Sequence, residues 1–531
     1  MVLLKKNRIL LVQAYTPSLY DKGLSDLKKY QHFLLQEYPN AEKWIPEKIF
    51  NETASWPDRM SATINKGLTN TAGEFIAGNL ATPSTVISEP VNPKVILKEL
   101  TKAVKEGFPY THVGFSVFVD GYTKFIASAR AVKEFDPNII TIAGNVGSLF
   151  DQTRDYVDHV HIGDGVPFLR ELLGEDVEVP YQLKIIPVIG TTRVFGMGFP
   201  SRLYQMVTKL GCPNHCDFCV SNILFKGGHT VELFRPEQVH DALVQLQLKE
   251  KKDFDVFFTA PMAIISKEWW YRLFDLFRED TGDYPVYILT TSSSLQNFDF
   301  ERMRNSALRI KMVNLGVESF SKIFGKNQNV DMKHLITRLH DYGISVDATF
   351  LVGFDHHTHE NVWQEIKQLV DLDADINDVI NLRPLPQTPL WNQFQAEKRL
   401  LPLPMDFYYI LYFQSFLHPH FKPGFEDILP LMANIDAFIE RERGFQGLHL
   451  LRTFQNVKKP SPSILKQIQM YQWVGDLLYS SWKSHFNPNK DQQQRYWEKL
   501  GPHSKPPWIL RMLANHPRIR FLASLAKFRG V

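Results

Sequence analysis

The sequence has very little cysteine, no long apolar run and almost no net charge. Its 531 residues include three cysteines, so we expect no disulfide framework and a reducing, cytoplasmic environment. No run of about 18 apolar residues occurs, and the apolar run at residues 9–12 is too short for a signal peptide, so we expect neither a spanning helix nor a leader. The formal net charge of +3 argues against a nucleic-acid binder, and no nucleic-acid partner is expected.

What the chain does have is enough apolar material for several cores. Apolar residues make up 44% and aromatic residues 13% of the sequence, and its length predicts two to four domains. The pattern of apolar residues divides the chain into residues 1–185, 186–395 and 396–531. The fold class we predict is α/β: a Rossmann-like open parallel sheet, then a partial (β/α)6 barrel of the TIM type, then a C-terminal helical region.

All three cysteines lie within one stretch of eight residues, as Cys212, Cys216 and Cys219. Thiolates bind zinc and iron–sulfur clusters strongly, so a close cysteine triad predicts one soft metal centre. Three protein ligands leave one iron of a four-iron cluster open, as a catalytic site requires. The alternative is a structural Cys3His zinc site with His215, although ligands crowded around one turn would leave His215 badly oriented. Coincidental core cysteines fit the polar residues between them poorly.

Residues 1–185 alternate short apolar strands with helices, which indicates an open parallel sheet. The predicted strands are residues 8–14, 112–117, 139–143 and 159–162. The predicted helices are residues 123–135 and 167–173, and one that begins at the N-cap Asn92 with Pro93 and stops at Gly107. Ligands of such sheets bind beyond the carboxyl ends of the strands. Those ends are residues 14–18, 118–122, 144–148 and 163–166.

After a connector with several prolines and glycines, residues 186–200, six strand–helix units follow. The predicted strands are residues 203–209, 256–259, 286–291, 312–317, 345–352 and 378–383. One helix is predicted to begin at the N-cap Thr358 and another to end at Gly343. Six such units form about three-quarters of a (β/α)8 barrel, whose functional residues lie at the carboxyl ends of the strands. The cysteine stretch follows the first of these strands.

The spacing Cys-x-x-x-Cys-x-x-Cys, with Phe218 before the last cysteine, resembles the signature of the radical S-adenosylmethionine superfamily. The resemblance implies that Cys212, Cys216 and Cys219 hold a 4Fe–4S cluster and act in catalysis, and that Phe218 lies at the cofactor. It implies that the amino and carboxylate groups of S-adenosylmethionine chelate the fourth iron, and that an electron then cleaves the sulfonium to a 5′-deoxyadenosyl radical. It also implies an electron donor, either a reductase or a flavodoxin or ferredoxin.

The first region resembles the cobalamin-binding domain that precedes the radical domain in one large subgroup of this superfamily. The subgroup's "GG" corresponds to the sequence AGN around Gly144, and its "GEGE" to the sequence GDGV that begins at Gly163. The resemblance implies that Gly144 and Gly163 line a cobalamin site, although the Asp-x-His-x-x-Gly motif is absent. An empty structural relic is the open alternative. No glycine pair completes a dinucleotide fingerprint, so no nicotinamide site is expected.

Three other strand ends carry candidate ligands for S-adenosylmethionine. Glu318 and Ser319, in the sequence LGVES, resemble the family's "GvES" beside the cofactor. Thr259 stands where a Gly-Gly-Glu-like motif usually binds the methionine amino group, and Ser292 stands where a hydroxyl would reach the carboxylate or ribose. For Glu318 and Ser319, the alternative is a helix N-terminus, which favours a carboxylate and a hydroxyl. For Ser292, the alternative is a cap for the next helix.

Arginine and histidine residues near further strand ends have more than one interpretation. Arg383, in the sequence RPLPQTPL, resembles the family's "PxPGTPLY" segment, and its guanidinium would bind a carboxylate or phosphate or simply be solvated. The sequence DHHTH at residues 355–359 suggests a second metal, although adjacent residues seldom converge on one ion. Proton transfer or substrate contact by one histidine is the alternative. His418 and His420 have the same alternatives.

The end of the chain is basic and amphipathic. The last 27 residues carry six basic residues and no acidic one, with apolar residues on one helical face. Such a helix makes peripheral contact with an anionic membrane, or it docks on the protein with its charges in water. The first alternative favours a lipid-like substrate over another small molecule.

Taken with the resemblance, these features predict a radical S-adenosylmethionine enzyme that abstracts hydrogen from an unactivated carbon. With cobalamin, the resemblance implies a methyltransferase. Without cobalamin, it implies a rearrangement, ring closure or oxidation. A hypothesis of another class is a zinc-stabilised binding protein without catalytic activity.

Overall fold

The fold is that of a computed structural model, which describes most of the chain. The described residues are 7–15, 27–38, 42–52, 63–64, 69–188, 191–194, 197–200, 202–225, 227–250, 253–321, 327, 329–444 and 462–500. The predicted basic end, residues 505–531, lies outside this range, as do Gly190 and Gly196 of the connector. None of the helices in the described ranges combines the length and the apolar character needed to cross a bilayer.

Seventeen strands are described. They are β1 Ile9–Ala14, β2 Thr63–Ile64, β3 Ser84–Pro90, β4 His112–Val117, β5 Ile140–Gly144, β6 His159–Val160, β7 Ile185–Pro187, β8 Thr191–Val194, β9 Met197–Pro200, β10 Leu203–Met206, β11 Lys209–Gly211, β12 Thr230–Glu232, β13 Asp255–Phe258, β14 Tyr284–Thr290, β15 Leu308–Glu318, β16 Ser345–Val352 and β17 Ile376–Asn381.

The described helices have three to twenty-five residues and lie between many of these strands and after the last of them. The α-helices are α1 Leu27–Glu37, α2 Glu47–Glu52, α3 Thr71–Ala77, α4 Pro93–Lys105, α5 Tyr122–Phe135, α6 Gly165–Leu173, α7 Ser221–Leu224, α8 Pro236–Glu250, α9 Lys267–Leu276, α10 Ser292–Gln296, α11 Phe300–Arg304, α12 Met332–Asp341, α13 His359–Asp371, α14 Pro389–Ala396, α15 Ile428–Arg443, α16 Pro462–Phe486 and α17 Lys490–Leu500. Short 3-10 helices are Glu42–Trp44, Val119–Gly121, Val146–Leu149, Asp151–Asp155 and Met405–Tyr409.

The first region is the predicted open parallel sheet, with strand order β3-β1-β4-β5-β6. The strand order reverses between β1 and β4, which is where such sheets bind ligands. Strand β1 is buried on both faces, with Val12 in one core cluster and Leu11 in another. Sequence analysis missed β3, because this edge strand mixes serine, threonine and glutamate with its apolar residues and ends in proline.

Local signals in this region acted as predicted. The Asn92 side chain accepts hydrogen bonds from the Lys94 and Val95 N–H groups at the start of α4. Gly107 follows the helix with φ +75°, a conformation that glycine adopts without steric penalty. Strand β4 has the predicted bounds residue for residue.

The second region is a seven-stranded sheet, ordered β17-β16-β15-β14-β13-β10-β7. Six of its strands are parallel, which confirms the predicted partial barrel, and β7 adds an antiparallel edge. The single predicted strand over residues 203–209 is wrong. Strand β10 ends at Met206, and Lys209 begins a separate hairpin, β11–β12, because the chain leaves the sheet to close a loop around the cysteines.

Helices cover one face of the barrel sheet and leave the other face to the interior. Val346, Ala348 and Phe350 of β16 have no exposed surface and belong to the core with residues of α12 and α13. Helix α13 begins at Thr358 as predicted, with a capping box completed by Asn361. Side chains alternate along a strand, so Asp347 of β16 points to the opposite, interior face.

The C-terminal region becomes helical later than predicted. Residues 397–427 contain one short 3-10 helix and two isolated bridges, and the described long helices begin at Ile428. Four prolines interrupt this segment and remove backbone donors. Apolar residues of α15 belong to the same core cluster as β1 and β14, so one continuous core joins all three regions.

Candidate active site

The cysteine loop is held at its base by the β11–β12 hairpin. Gly211, just before Cys212, has φ +80°, and a Cβ there would lie 1.9 Å from the His229 carbonyl oxygen. A side chain at this position would therefore push the two strands apart. Gly211 is thus required for the loop to close.

Within the loop the backbone is ordered around Cys216. Its carbonyl oxygen accepts hydrogen bonds from the Cys219 N–H, at 3.0 Å, and from the Asn222 side-chain amide, at 3.3 Å. All three cysteines are half-buried and none is in a disulfide. The loop therefore presents thiols at a protected but accessible position.

The positions of the three cysteines and His215 bear on the two metal hypotheses. No three ligand atoms from the cysteines and His215 lie within 4.8 Å of one another, although another group in the described ranges meets this condition. One tetrahedral zinc ion places its sulfur ligands roughly 3.8 Å apart. His215 instead packs on the backbone, where a Cβ on Gly228 would lie 2.9 Å from His215 Cε1. Three thiols on one loop suit an iron–sulfur cluster with one open iron, and in this structure they and His215 are not gathered as the four ligands of one zinc ion.

Contacts dock the loop on the carboxyl end of the barrel. Phe218 packs edge-on against Phe354, which follows β16, with ring centroids 5.9 Å apart. It also contacts the cluster that contains Leu382, after β17. The Asp217 carbonyl oxygen accepts a hydrogen bond from the Leu390 N–H at 3.0 Å. The cysteines thus lie at the barrel end where catalytic residues were predicted.

Thr259 lies directly after β13 at the same end. Its N–H donates to the Met206 carbonyl oxygen at 2.9 Å, which places it beside the end of β10. Its hydroxyl Oγ1 is buried and has no hydrogen-bond partner among the described residues. A buried hydroxyl that lacks a protein partner is suited to a bound ligand.

Ser292 already has a protein partner. Its hydroxyl donates to Asn327 Oδ1 at 2.6 Å. The neighbouring Thr291 caps α10 by accepting a hydrogen bond from the Ser294 N–H, as the alternative interpretation predicted. The structure therefore gives Ser292 a bracing contact, and its role at a cofactor stays a prediction.

Glu318 and Ser319 form a tight turn at the end of β15. Glu318 is buried and has φ +63°, which is rare for a residue with a Cβ. The pairing of β15 with β16 shifts register at this point. The Ser319 N–H donates to the Val317 carbonyl oxygen at 2.8 Å, and its hydroxyl donates to Glu365 Oε2 at 2.6 Å.

His356 and His357 converge with Glu365, although adjacent residues seldom converge on one ion. Their ligand atoms lie within 4.8 Å of one another. However, His357 Nδ1 accepts hydrogen bonds from the Gly353 N–H at 3.0 Å and the Phe354 N–H at 3.3 Å. The hydrogen of a neutral ring is then on Nε2, which faces Glu365 Oε1 at 3.5 Å. A protonated Nε2 does not ligate a metal.

Sequence analysis missed Glu365. It lies on the buried face of α13, between Val362 and Ile366, which have no exposed surface. A carboxylate among apolar residues on a buried helix face is the signal that would have found it. The other histidine candidate, His418, has structural contacts: Nε2 bonds the Phe354 carbonyl oxygen at 2.9 Å, and Nδ1 accepts from the N–H groups of His420 and Phe421.

The carboxyl edge of the N-terminal sheet has glycine after β6 and at the end of β5, and the first of these lies against the helix that follows the cysteines. A Cβ on Gly144 would meet only the His161 carbonyl oxygen, at 3.6 Å. Gly163 has φ +123°, and a Cβ there would lie 3.5 Å from the carbonyl oxygen of Leu224, in the helix after the cysteines. The bare edge, meaning the part of this edge at Gly144 and Gly163, has room for a large ring ligand that contacts the backbone.

Buried polar groups connect both the N-terminal region and the barrel to the 3-10 helix Met405–Tyr409. Asp406 accepts hydrogen bonds from the Thr123 N–H at 3.2 Å and the Thr123 hydroxyl at 2.6 Å. Burial, and secondly the charge of Asp406, raises the pKa of Asp120 to about 7. Arg383 stacks its guanidinium on Tyr409, 4.5 Å from the ring centroid, and its Nε is buried. It is therefore not the fully solvated arginine of the alternative interpretation.

A polar patch lines the barrel interior. The Asn314 amide donates to Asp347 Oδ2 at 2.9 Å and to Thr349 Oγ1 at 3.2 Å. Burial, and secondly the charge of Asp378, raises the pKa of Asp347 to about 7. The interior face thus offers hydrogen-bonding groups rather than a purely apolar surface.

Comparisons with known proteins find relatives in structure alone. The chain matches no protein-family profile and no curated protein sequence. It is similar to the radical S-adenosylmethionine methyltransferase TsrM from Kitasatospora setae, solved with tryptophan substrate and a SAM analogue, with 15% identity, a TM-score of 0.51, and coverage of 75% of this chain and 78% of that chain.

Structures of OxsB, a cobalamin-dependent S-adenosylmethionine radical enzyme, are similar to the same degree. The one with aqua-cobalamin and S-adenosylmethionine bound has 13% identity, a TM-score of 0.51, and coverage of 92% of this chain and 74% of that chain. The one with aqua-cobalamin alone has 13% identity, a TM-score of 0.51, and coverage of 99% and 80%. At such identities the likeness shows the fold.

Proposed function

We propose that this chain, which has the fold of cobalamin-dependent radical S-adenosylmethionine enzymes, is itself an enzyme of that class. It cleaves S-adenosylmethionine reductively at a 4Fe–4S cluster held by Cys212, Cys216 and Cys219, and so starts radical chemistry on an unactivated carbon. The observation that carries the proposal is the loop of three thiols, none of them in a disulfide, docked on the carboxyl end of a partial barrel.

The chain's own residues bind and enclose the cofactors. When bound, the cluster supplies the electron that cleaves the sulfonium. Phe218 keeps the loop against the barrel and excludes water from one side. The Thr259 hydroxyl, which lacks a protein partner among the described residues, donates to a polar group of S-adenosylmethionine. Glu318 and Ser319 contact the same cofactor from the neighbouring strand end, β15.

Methyl transfer is the finer proposal. Aqua-cobalamin is bound by the similar OxsB structures, and the bare edge at Gly144 and Gly163 lies against the helix that follows the cysteines. When bound, cobalamin supplies the methyl group. The edge would hold the corrin through backbone contacts. Asn145, whose side-chain amide donates a hydrogen bond to Ser116 Oγ at 3.2 Å, would lie beside it. A cobalamin-free rearrangement, cyclisation or oxidation is the alternative.

The remaining parts of the proposal concern partners. The barrel interior, with its polar patch of Asn314, Asp347 and Thr349, receives a small-molecule or lipid-like substrate. A reductase, or a flavodoxin or ferredoxin, donates the electron. Residues 505–531 provide peripheral membrane contact if the substrate is lipid-like.

The decisive experiment is anaerobic reconstitution with iron, sulfide and cobalamin, followed by assay of 5′-deoxyadenosine. We expect the unmodified protein to bind a brown iron–sulfur chromophore and to produce 5′-deoxyadenosine. Cys216→Ala should abolish that product, because one of three cluster ligands is gone. Asp217→Ala is the matched control, since its exposed side chain lies in the same loop. Well-folded protein that never takes up iron would contradict the proposal, and uptake of zinc alone would favour the binding protein.

A further inference from the structure

The turn after β15 is held in a conformation that its own residues disfavour. Glu318 has φ +63°, in the left-handed region where a Cβ crowds the following carbonyl. Residues kept in such regions need surrounding structure that over-determines them, and they concentrate at functional sites. What holds this turn is therefore a question about the site.

One support acts on the residues before the turn and comes from Asn327. The Asn327 side-chain amide donates to the Gly316 carbonyl oxygen at 3.0 Å and to the Val317 carbonyl oxygen at 3.1 Å. This contact fixes the last residues of the strand. It does not reach the residues that follow Glu318.

The other support is the Glu365 carboxylate, which holds the residues after the turn. Its Oε2 accepts the Ser319 hydroxyl at 2.6 Å and the Phe320 N–H at 2.7 Å. Its Oε1 faces the Nε2 atoms of His356 and His357 at 3.6 and 3.5 Å. Burial raises the pKa of Glu365, but the two nearby imidazoles and the hydrogen bonds from Ser319 and Phe320 outweigh it and keep the pKa below its usual range. The group is therefore an anion at neutral pH.

The same carboxylate is linked to the next strand end. His357 directs Nε2 at Glu365 and accepts hydrogen bonds at Nδ1 from the N–H groups of Gly353 and Phe354, just after β16. Phe354 in turn packs against Phe218 of the cysteine loop. One buried anion thus connects the ends of β15 and β16 and, through Phe354, the loop that holds the cysteines.

We propose that Glu365 is a positioning residue for S-adenosylmethionine binding, which sets the Glu318–Ser319 turn and the end of β16 at the cofactor. Glu365 acts through Ser319 and His357 and does not touch the cofactor. The His356–His357–Glu365 group is a polar brace, held to the turn by the hydrogen bonds from Ser319 and Phe320 to Glu365, and not a second metal site. This inference rests on the proposed function, because it assigns S-adenosylmethionine to these strand ends.

The test compares Glu365→Gln with Glu360→Gln in the full-length, anaerobically reconstituted protein. Glu360 is exposed and lies on the same helix, so the pair differs in contacts and not in chemistry. We expect Glu365→Gln to keep the iron content of the parent protein and to raise the KM for S-adenosylmethionine about tenfold, with a smaller change in kcat. The change that S-adenosylmethionine causes in the EPR spectrum of the reduced cluster should need correspondingly more cofactor. Glu360→Gln should match the parent protein.

A second variant keeps the test decisive if Glu365→Gln folds poorly. Ser319→Ala removes one hydrogen bond to Glu365 without leaving a new buried charge. Ser319→Ala alone should raise the KM for S-adenosylmethionine and keep the iron content of the parent protein, and an unchanged KM would overturn the inference without the Glu365 variant. Where Glu365→Gln does fold, the KM increase of the Glu365→Gln/Ser319→Ala double variant is smaller than the product of the two single increases. A Glu365→Gln protein that saturates at the cofactor concentration of Glu360→Gln would overturn the inference. So would the loss of a bound metal other than iron in Glu365→Gln. A parent protein with a cluster but no response to S-adenosylmethionine would overturn the proposed function first, and this inference with it.

Discussion

The two parallel sheets of this protein present their carboxyl edges in different ways. The barrel edge is built from side chains with assigned partners, such as Ser319 on Glu365 and Phe218 on Phe354. The edge of the N-terminal sheet presents backbone at two places, Gly144 at the end of β5 and Gly163 after β6. The same βα architecture thus supports a site that positions a small charged ligand and a surface that is suited to a broad one.

The difference shows what each part of the functional proposal rests on. S-adenosylmethionine chemistry rests on specific polar atoms, because a sulfonium and an amino acid group must be oriented. The proposal of cobalamin binding rests on the two glycines, Gly144 and Gly163, at the edge of the N-terminal sheet. The Gln387 amide, after β17, donates to the Leu149 carbonyl oxygen, after β5, at 2.6 Å and so joins the two edges. Asp406, which accepts from the Thr123 hydroxyl at 2.6 Å, joins the N-terminal region to the C-terminal region.

The largest expected effect is at the base of the cysteine loop. Gly211→Ala should lower the free energy of unfolding by about 3 kcal/mol or more and abolish iron uptake, because the new Cβ collides with the His229 carbonyl oxygen. Gly227→Ala is the matched control: its φ is +63°, but nothing lies within 4 Å of its Cβ. Only the backbone strain, about 1–2 kcal/mol, is expected there. Thermal unfolding and iron analysis measure both, and equal effects would contradict the collision.

The next prediction breaks the comparison at the other edge. Gly163→Val should weaken corrinoid binding at least tenfold while iron content stays unchanged, because the side chain projects between β6 and the Leu224 carbonyl oxygen. Absorbance after addition of cobalamin measures the binding. Gly174→Val, which also replaces a glycine of positive φ but lies at the end of α6, should bind cobalamin as the parent does. Loss of iron together with corrinoid in Gly163→Val would show that the edges are not independent.

A third prediction concerns the barrel interior and pH. Burial, and secondly the charge of Asp378, raises the pKa of Asp347 from its ordinary value of 3.8 to about 7. The unfolded chain therefore loses the Asp347 carboxyl proton at a lower pH than the folded protein does. Stability therefore falls as the pH rises from about 4 to about 7. Asp347→Asn should melt about 3 °C above the parent at pH 8 and equally at pH 4. Exposed Asp241→Asn should show no such difference.

The smallest expected effect sharpens the barrel edge. Thr259→Val should raise the KM for S-adenosylmethionine about threefold and leave the melting temperature unchanged or slightly higher, because the lost hydroxyl has no protein partner in the described structure. Thr259→Ser, which retains the hydroxyl, should restore the KM. Initial rates over a range of cofactor concentrations provide the measurement, and an unchanged KM in Thr259→Val would remove this residue from the site.

Much of the fold was predictable because its signals are local. Asn92 and Thr358 cap their helices through hydrogen bonds to residues within three positions. Strand β16 was predictable from a short, mostly apolar stretch. The cysteine spacing indicated a cluster site for the same reason. Strand β3 and the hairpin β11–β12 were missed, because an edge strand and a three-residue strand owe their pairing to distant partners.

The sequence by itself determined most of the helices, the central strands, and where three thiols stand close along the chain, since these depend on neighbours a few positions away. Only the tertiary structure decided that Glu365, forty-six residues from Ser319, braces its turn, and that Gly163 lies against the helix after the cysteines. Contact through space sets these relations. Desolvation does the same for Asp347, because a pKa depends on what surrounds a carboxyl group and not on which residues precede it.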